Sequence, residues 1–171
     1  MESALMLVLR IVHVGAGIFW GGGSLIMYFF FGPAVRATQQ IGQQFAGHLM
    51  LRTKFVTVMT VMALLTILAG AGLYWLDSDG LASAWMKSGA GIGFGVGGAF
   101  GLAGFVFGAI FGQLNKKLAA LGSQIQGKPT PEQMGQIQAL QKRIARVSPI
   151  SVYSIILAIL LMSASRYLGL L

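Results

Sequence analysis

Residues 9–24 read LRIVHVGAGIFWGGGS, and this stretch decides the fold class of the chain. It is apolar except for Arg10, His13 and Ser24, and the apolar sequence continues as far as Val35. A helix of about 20 such residues crosses the roughly 30 Å of hydrocarbon in a bilayer. Ionisable side chains are costly at that depth and are usually functional. The stretch therefore predicts a membrane helix that contains a candidate functional histidine.

The composition of the whole chain agrees with a lipid environment. Of its 171 residues, 56% are hydrophobic and only 9% are charged, and the mean hydropathy is +0.76. A soluble domain carries about 25% charged residues, so this chain could not cover a surface that faces water. There is no cysteine, which excludes disulfides, iron–sulfur clusters and thiolate metal sites.

Four apolar runs are long enough to cross a bilayer, and each is flanked by charged residues. They span residues 11–35, 55–76, 88–112 and 147–165. Since backbone polar groups find no water in lipid, such runs must form helices. We expect an all-α, integral membrane four-helix bundle that makes residues 1–171 a single transmembrane domain.

The basic residues predict the orientation of this bundle. The net charge is +8, and nine of the twelve basic residues lie in the first and third connections. These are Arg36, Arg52, Lys54, Lys116, Lys117, Lys128, Lys142, Arg143 and Arg146. The positive-inside rule places these connections in the cytoplasm and both termini outside. We therefore expect a multi-pass protein of the bacterial inner membrane, in which the charge marks topology and not nucleic-acid binding.

Both basic connections are predicted to be helical. Residues 37–54 carry apolar side chains at four-residue spacing, which favours a helical extension of the second span. Residues 113–146 are expected to form a cytoplasmic helical hairpin. Gly127-Lys128-Pro129 ends its first helix, and Thr130-Pro131-Glu132-Gln133 has the sequence of a capping box that starts its second.

Glycines dominate the third span, and two interpretations of them stay open. They recur at three- or four-residue spacing as Gly89, Gly93, Gly97, Gly101, Gly104, Gly108 and Gly112. Such ridges let helices approach closely in lipid. The alternative is that the glycine face leaves room for a flat cofactor.

His13 is the candidate ligand in the first span. On a helix it shares a face with Gly17, Trp20, Gly21 and Ser24. We expect this imidazole to lie one turn inside the outer boundary, above a groove cleared by glycine. A neutral imidazole is a common axial ligand of haem iron. The alternative is a histidine that is hydrogen-bonded to a neighbouring helix or to interfacial water.

Four further residues would complete a haem b site around His13. Arg10, Lys87 and Arg166 are predicted at the same outer level, where they could pair with haem propionates. Met162 lies near that depth and is a candidate sixth ligand, although a core methionine or a five-coordinate haem is an alternative.

A site shared by the two histidines is not expected. His48 belongs to the first cytoplasmic connection, and helix counting places it roughly 10–13 Å from His13 in height. Two axial ligands of one iron lie only about 4 Å apart, since each nitrogen is about 2 Å from the metal.

The chain also resembles two families of bacterial membrane proteins. His13, followed seven residues later by Trp20 and then by Gly21-Gly22, resembles the first helix of the copper-resistance D-type proteins and of the small membrane protoporphyrinogen oxidases. The second span resembles the same group in Leu64-Leu65-Thr66 with Ala69-Gly70. Related small uncharacterised four-helix proteins are similar in Trp85-Met86-Lys87, which opens the third span, and in Ser165-Arg166-Tyr167-Leu168, which closes the fourth. The resemblance implies a four-helix bundle. In the oxidases it also implies haem b on the first-helix histidine and a required lysine in the third helix, for which Lys87 is the candidate.

Three functions are consistent with these patterns. The first is a haem b protein in electron transfer or porphyrin-linked redox chemistry, as a homo-oligomer or with partner membrane subunits; an enzyme of this kind would be an oxidoreductase. The second is a cofactor-free accessory subunit. The third is a permease for a metal ion or small solute, which the lack of charge within the spans disfavours.

Overall fold

The computed structural model describes residues 2–125 and 127–168, and all the regular elements in that part are helices. Met1, Gln126 and residues 169–171 of the predicted single domain lie outside the described residues. The helices are α1 (Glu2–Ile26), α2 (Gly32–Ala37), α3 (Gln39–Arg52), α4 (Phe55–Asp77), α5 (Gly89–Gln124) and α6 (Pro131–Ala164). A π-helical segment, Met27–Phe31, joins α1 to α2, and short 3₁₀ turns cover Ala84–Lys87 and Ser165–Tyr167. The all-α prediction is confirmed for the described residues.

Four helical stretches are long and apolar enough to cross a bilayer, as predicted. They are Glu2–Ala37, Phe55–Asp77, Gly89–Gln124 and Pro131–Tyr167. At 1.5 Å per residue, the 36 residues of α5 extend about 54 Å. Three of the four stretches are longer than the predicted spans, because the helices continue beyond the charged residues that flank the apolar runs.

The long helices form two antiparallel pairs. Along α1 and α4, Leu9 faces Gly72 and Gly23 faces Met59, so one helix ascends as the other descends. The α5–α6 pair has the more extensive contact of the two. The first turns of α1 and α5 therefore lie at the same end of the protein as the last turns of α4 and α6.

Trp20 packs where the two pairs meet. Its side chain is buried with Ala63 of α4 and Ile155 of α6. Its indole ring meets the ring of Phe105 of α5 edge to face, with centroids 6.4 Å apart. One aromatic side chain of α1 is thereby in contact with the other three long helices.

The first connection differs from the predicted continuous extension of the second span. Its helix, α3, is separate from α4, folds back along α2 and also packs against α5. The break falls at Thr53, whose backbone is extended. Thr53 Oγ1 donates to the carbonyl of Leu49 at 2.6 Å and accepts from the N–H of Phe55 at 3.1 Å. These local hydrogen bonds replace the helical ones and end α3.

The third connection is the predicted helical hairpin. Residues 113–124 continue α5, and Gly127 adopts a φ of +86° in the turn. The capping box is confirmed: Thr130 Oγ1 accepts from the N–H of Gln133 at 3.2 Å, and the Gln133 amide oxygen accepts from the N–H of Thr130 at 2.9 Å.

Candidate functional site

His13 lies half-buried between α1 and α4, and one of its ring nitrogens has a defined partner. Nδ1 is 2.7 Å from the backbone carbonyl oxygen of Thr66. A carbonyl oxygen can only accept, so Nδ1 must carry the hydrogen and donate it. In the neutral ring this leaves Nε2 unprotonated, with a lone pair that is free to bind a metal or accept a proton.

Gly70 provides the space that the imidazole occupies. A Cβ atom at this position would lie 2.7 Å from Cε1 and 2.8 Å from Nδ1 of His13. Real Cβ contacts are longer than this, so any side chain at Gly70 would displace the ring. Thr66 and Gly70 are four residues apart and therefore share one face of α4.

The contacts of the His13 ring with Thr66 and Gly70 fall between the twelfth and sixteenth of the 23 residues of α4. Thr66 is the twelfth of the 23 residues of α4 and so lies at its midpoint. The sequence predicted His13 one turn inside the outer boundary. That depth in the membrane stays a prediction.

The other ring nitrogen of His13, Nε2, is unpaired in the described part of the chain. Within residues 2–125 and 127–168, the hydrogen bonds of this side chain involve Nδ1 alone. The one fully enclosed side-chain polar atom without a partner in that part is Ser83 Oγ. Nε2 therefore has no hydrogen-bond partner among these residues and is not fully enclosed by them.

The glycine groove expected beside His13 is filled by neighbouring helices. A Cβ on Gly17 would meet Thr66 Cγ2 at 3.4 Å, and one on Gly21 would meet Ile159 Cδ1 at 3.4 Å. Trp20, on the same face, is buried in the contact between the two helix pairs. These three residues therefore pack α1 against α4 and α6.

The predicted propionate partners lie at the end of the protein nearer His13. Arg10 is one turn before His13, Lys87 ends the 3₁₀ turn before α5, and Arg166 lies in the 3₁₀ turn after α6. All three side chains are exposed. They are therefore free to meet anionic groups at that end.

Met162 packs against a different helix from the one that carries His13. A Cβ on Gly97 of α5 would lie 2.8 Å from Met162 Cγ. Further along the same glycine row, a Cβ on Gly104 would lie 2.7 Å from Ile155 Cγ1. Side chains of α6 thus fill much of the row, which supports close helix packing as the role of these glycines.

The two histidines lie on different helices. His48 is exposed on α3, which packs mainly against α2 and α5. Across the described residues, no group of three or more His, Cys, Asp or Glu side chains is arranged to hold a metal ion.

The contacts of Thr66 and Gly70 with His13 were not predicted from the sequence. There, the two residues belonged only to the resemblance of the second span. Their four-residue spacing, with a small residue one turn after a hydroxyl residue, is a weak signal that α4 offers a notch to a side chain of another helix.

These features define a helical protein with four helices apolar enough to cross a bilayer and an oriented histidine held between two of them. No protein-family model, curated protein or solved structure matches the chain.

Proposed function

We propose that this chain is a multi-pass protein of the bacterial inner membrane that binds haem b through Nε2 of His13. It would form a four-helix bundle with both termini outside. The observation that carries the proposal is the hydrogen bond from His13 Nδ1 to the Thr66 carbonyl. Histidines that bind metals commonly donate their other ring nitrogen to a carbonyl or carboxylate, which fixes the tautomer and the ring orientation.

The surrounding residues have distinct parts in this proposal. The Thr66 carbonyl holds the ring and fixes its tautomer, while Gly70 allows the ring to approach α4. Arg10, Lys87 and Arg166 supply positive charge for the propionates.

His13 would be the one axial ligand of the haem that we assign. Met162 would have to turn away from Gly97 to reach a haem on His13, so a five-coordinate haem agrees better with the observed packing. A bound haem supplies one-electron transfer.

The role that follows is electron transfer or porphyrin-linked redox chemistry. The resemblance of residues 13–22 to the first helix of the membrane protoporphyrinogen oxidases favours the second form. An electron partner would be another membrane subunit or a second copy of the chain.

A second candidate is a cofactor-free accessory subunit. Its support is that Gly17, Gly21 and Gly97 are covered by side chains of this same chain. In that case His13 would serve only to hold α1 against α4.

Visible absorption of the purified protein separates the two candidates. We expect a Soret band that shifts on reduction with dithionite when the protein is produced in haem-replete cells. His13→Ala should abolish the band, whereas His48→Ala, which removes an exposed histidine elsewhere, should retain it.

The opposite outcomes are equally informative. A colourless but folded wild type would favour the accessory subunit. A band that survives His13→Ala and disappears in His48→Ala would overturn the assignment of the ligand. Circular dichroism of each variant shows whether the helices are intact.

A further inference from the structure

A small cavity lies beside the π-helical segment Met27–Phe31, at the other end of the first span from His13. Its volume is about 80 Å³, and it lies between this helix, α3 and α5. Apolar side chains form most of its wall, including Met27, Phe31, Met50 and Phe111. A π-helical turn is rare and frequently marks a functional site, and here Met27–Phe31 contributes two of the lining residues.

Arg36 lies at the rim of this cavity. Its Nη1 is 3.5 Å from the Cβ position of Gly32, which itself lines the cavity. The side chain therefore runs back along its own helix, in the direction that helical side chains prefer. The guanidinium, which has five N–H donors, is exposed at the edge of an apolar opening.

Asn115 of α5 supplies a polar group in the wall of the same cavity. Its Nδ2 donates to the carbonyl of Phe111 at 2.8 Å. That bond uses a donor of the amide and leaves its oxygen as an acceptor for a hydroxyl group. The cavity thus combines an apolar floor, a hydroxyl acceptor and a cationic rim.

The charge around the cavity favours an anion. Lys116 and Lys117 follow Asn115 on α5, and Arg52 ends α3, whose residues Ala46 and Met50 line the cavity. Of the four acidic side chains in the sequence, three are Glu2, Asp77 and Asp79, at the opposite ends of α1 and α4. The fourth, Glu132, begins α6 at the far end of the hairpin.

We infer that this cavity binds one anionic phospholipid at the basic boundary of the membrane. The headgroup phosphate lies on the Arg36 guanidinium, and a headgroup hydroxyl donates to the Asn115 amide. The first carbons of an acyl chain enter the apolar cavity, which is too small for more of the lipid. A soluble phosphate would leave the apolar wall unused, and a zwitterionic lipid would bring an ammonium group to a basic rim.

Lipid binding to the delipidated full-length protein in detergent tests this inference. The probes are dioleoylphosphatidylglycerol, dioleoylphosphatidylcholine and chain-free glycerol 3-phosphate, and native mass spectrometry gives the affinity of each. We expect phosphatidylglycerol to bind at least about tenfold more tightly than either other probe, which corresponds to about 1.4 kcal/mol.

Substitutions in and around the cavity show where the lipid binds. Arg36→Gln should weaken phosphatidylglycerol binding about fivefold, as expected for one basic residue near an anionic headgroup, and Arg36→Lys should retain most of it. Ala46→Leu should also weaken binding by filling the cavity without changing a charge. Lys128→Gln, which removes one exposed charge at the hairpin turn, is the matched control and should bind as the wild type does.

Three results would overturn the inference. One is equal binding of the two lipids, and another is binding of glycerol 3-phosphate as tight as that of phosphatidylglycerol. The third is a Lys128→Gln loss as large as that of Arg36→Gln, which would mean diffuse attraction to the basic end. If Arg36→Gln fails to fold, Ala46→Leu and Arg36→Lys still test the inference.

Discussion

The imidazole of His13 lies directly on Gly70, so close that a methyl carbon at Gly70 would be 2.8 Å from Nδ1. The hydrogen bond from Nδ1 to Thr66, one turn earlier on α4, holds the ring in this position. The contact between α1 and α4 at this point therefore needs both the imidazole of His13 and the missing side chain of Gly70.

Gly70→Ala should push the imidazole away from α4 and break its bond to Thr66. Overpacking of this kind and a lost hydrogen bond together predict a loss of about 1–3 kcal/mol in the free energy of unfolding. Denaturation in detergent measures the loss. Gly72→Ala is the control, since its methyl would meet only the flexible end of Leu9, at 3.2 Å.

A double variant shows whether the ring is the cause of that loss. In a His13→Ala background the imidazole is gone, so Gly70→Ala should cost little or should stabilise α4 through its higher helix propensity. An undiminished loss in this background would mean that Gly70 faces something other than His13.

The tautomer of His13 provides a second prediction, which is independent of any cofactor. Because the Thr66 carbonyl can only accept, the neutral ring should carry its hydrogen on Nδ1 and none on Nε2. Nitrogen-15 NMR of histidine-labelled, cofactor-free protein distinguishes the two nitrogens. His48, exposed on α3, is an internal reference. A His13 signal with hydrogen on Nε2 would contradict the hydrogen bond.

The sequence predicted those parts of the fold that depend on local chemistry. The four apolar helices follow from hydropathy alone, and the start of α6 follows from the reciprocal bonds of Thr130 and Gln133. Thr53 was missed because its hydroxyl could equally have bonded within a continuous helix. Its bond to the N–H of Phe55 is what ends that helix.

The surroundings of His13 were less predictable, because they depend on which helix packs against which. The sequence placed His13, Gly17 and Trp20 on one face, but it could not show that Thr66 would cover Gly17 or that Trp20 would be enclosed by three helices. A glycine face that closes on a partner and one that opens to a cofactor have the same sequence pattern. The two kinds of glycine face can be distinguished only by how α1 packs against α4.

Two glycines of α5 should respond to the same substitution in opposite ways. A Cβ on Gly104 would be 2.7 Å from Ile155, and the Gly104 carbonyl accepts from Ser151 Oγ at 2.9 Å. Gly104→Ala should therefore separate α5 from α6 and cost about 1–3 kcal/mol.

Gly98→Ala is the matched substitution on the same helix. Nothing lies within 4 Å of its Cβ position, so alanine should stabilise the helix by up to about 1 kcal/mol through propensity alone. Denaturation in detergent compares the two variants. Equal effects would show that the α5–α6 contact does not depend on the glycine row.

The orientation of the helices can be tested cleanly because the chain has no cysteine of its own. Ala82, between α4 and α5, and Ser123, near the end of α5, are both exposed and lie at opposite ends of the helix pairs. A membrane-impermeant maleimide added to intact spheroplasts should label Ala82→Cys. It should label Ser123→Cys only after permeabilisation, because nine of the twelve basic residues lie in the two connections on that side. The reverse pattern would invert the topology, and equal labelling of both variants would contradict a membrane crossing by α5, which separates the two positions.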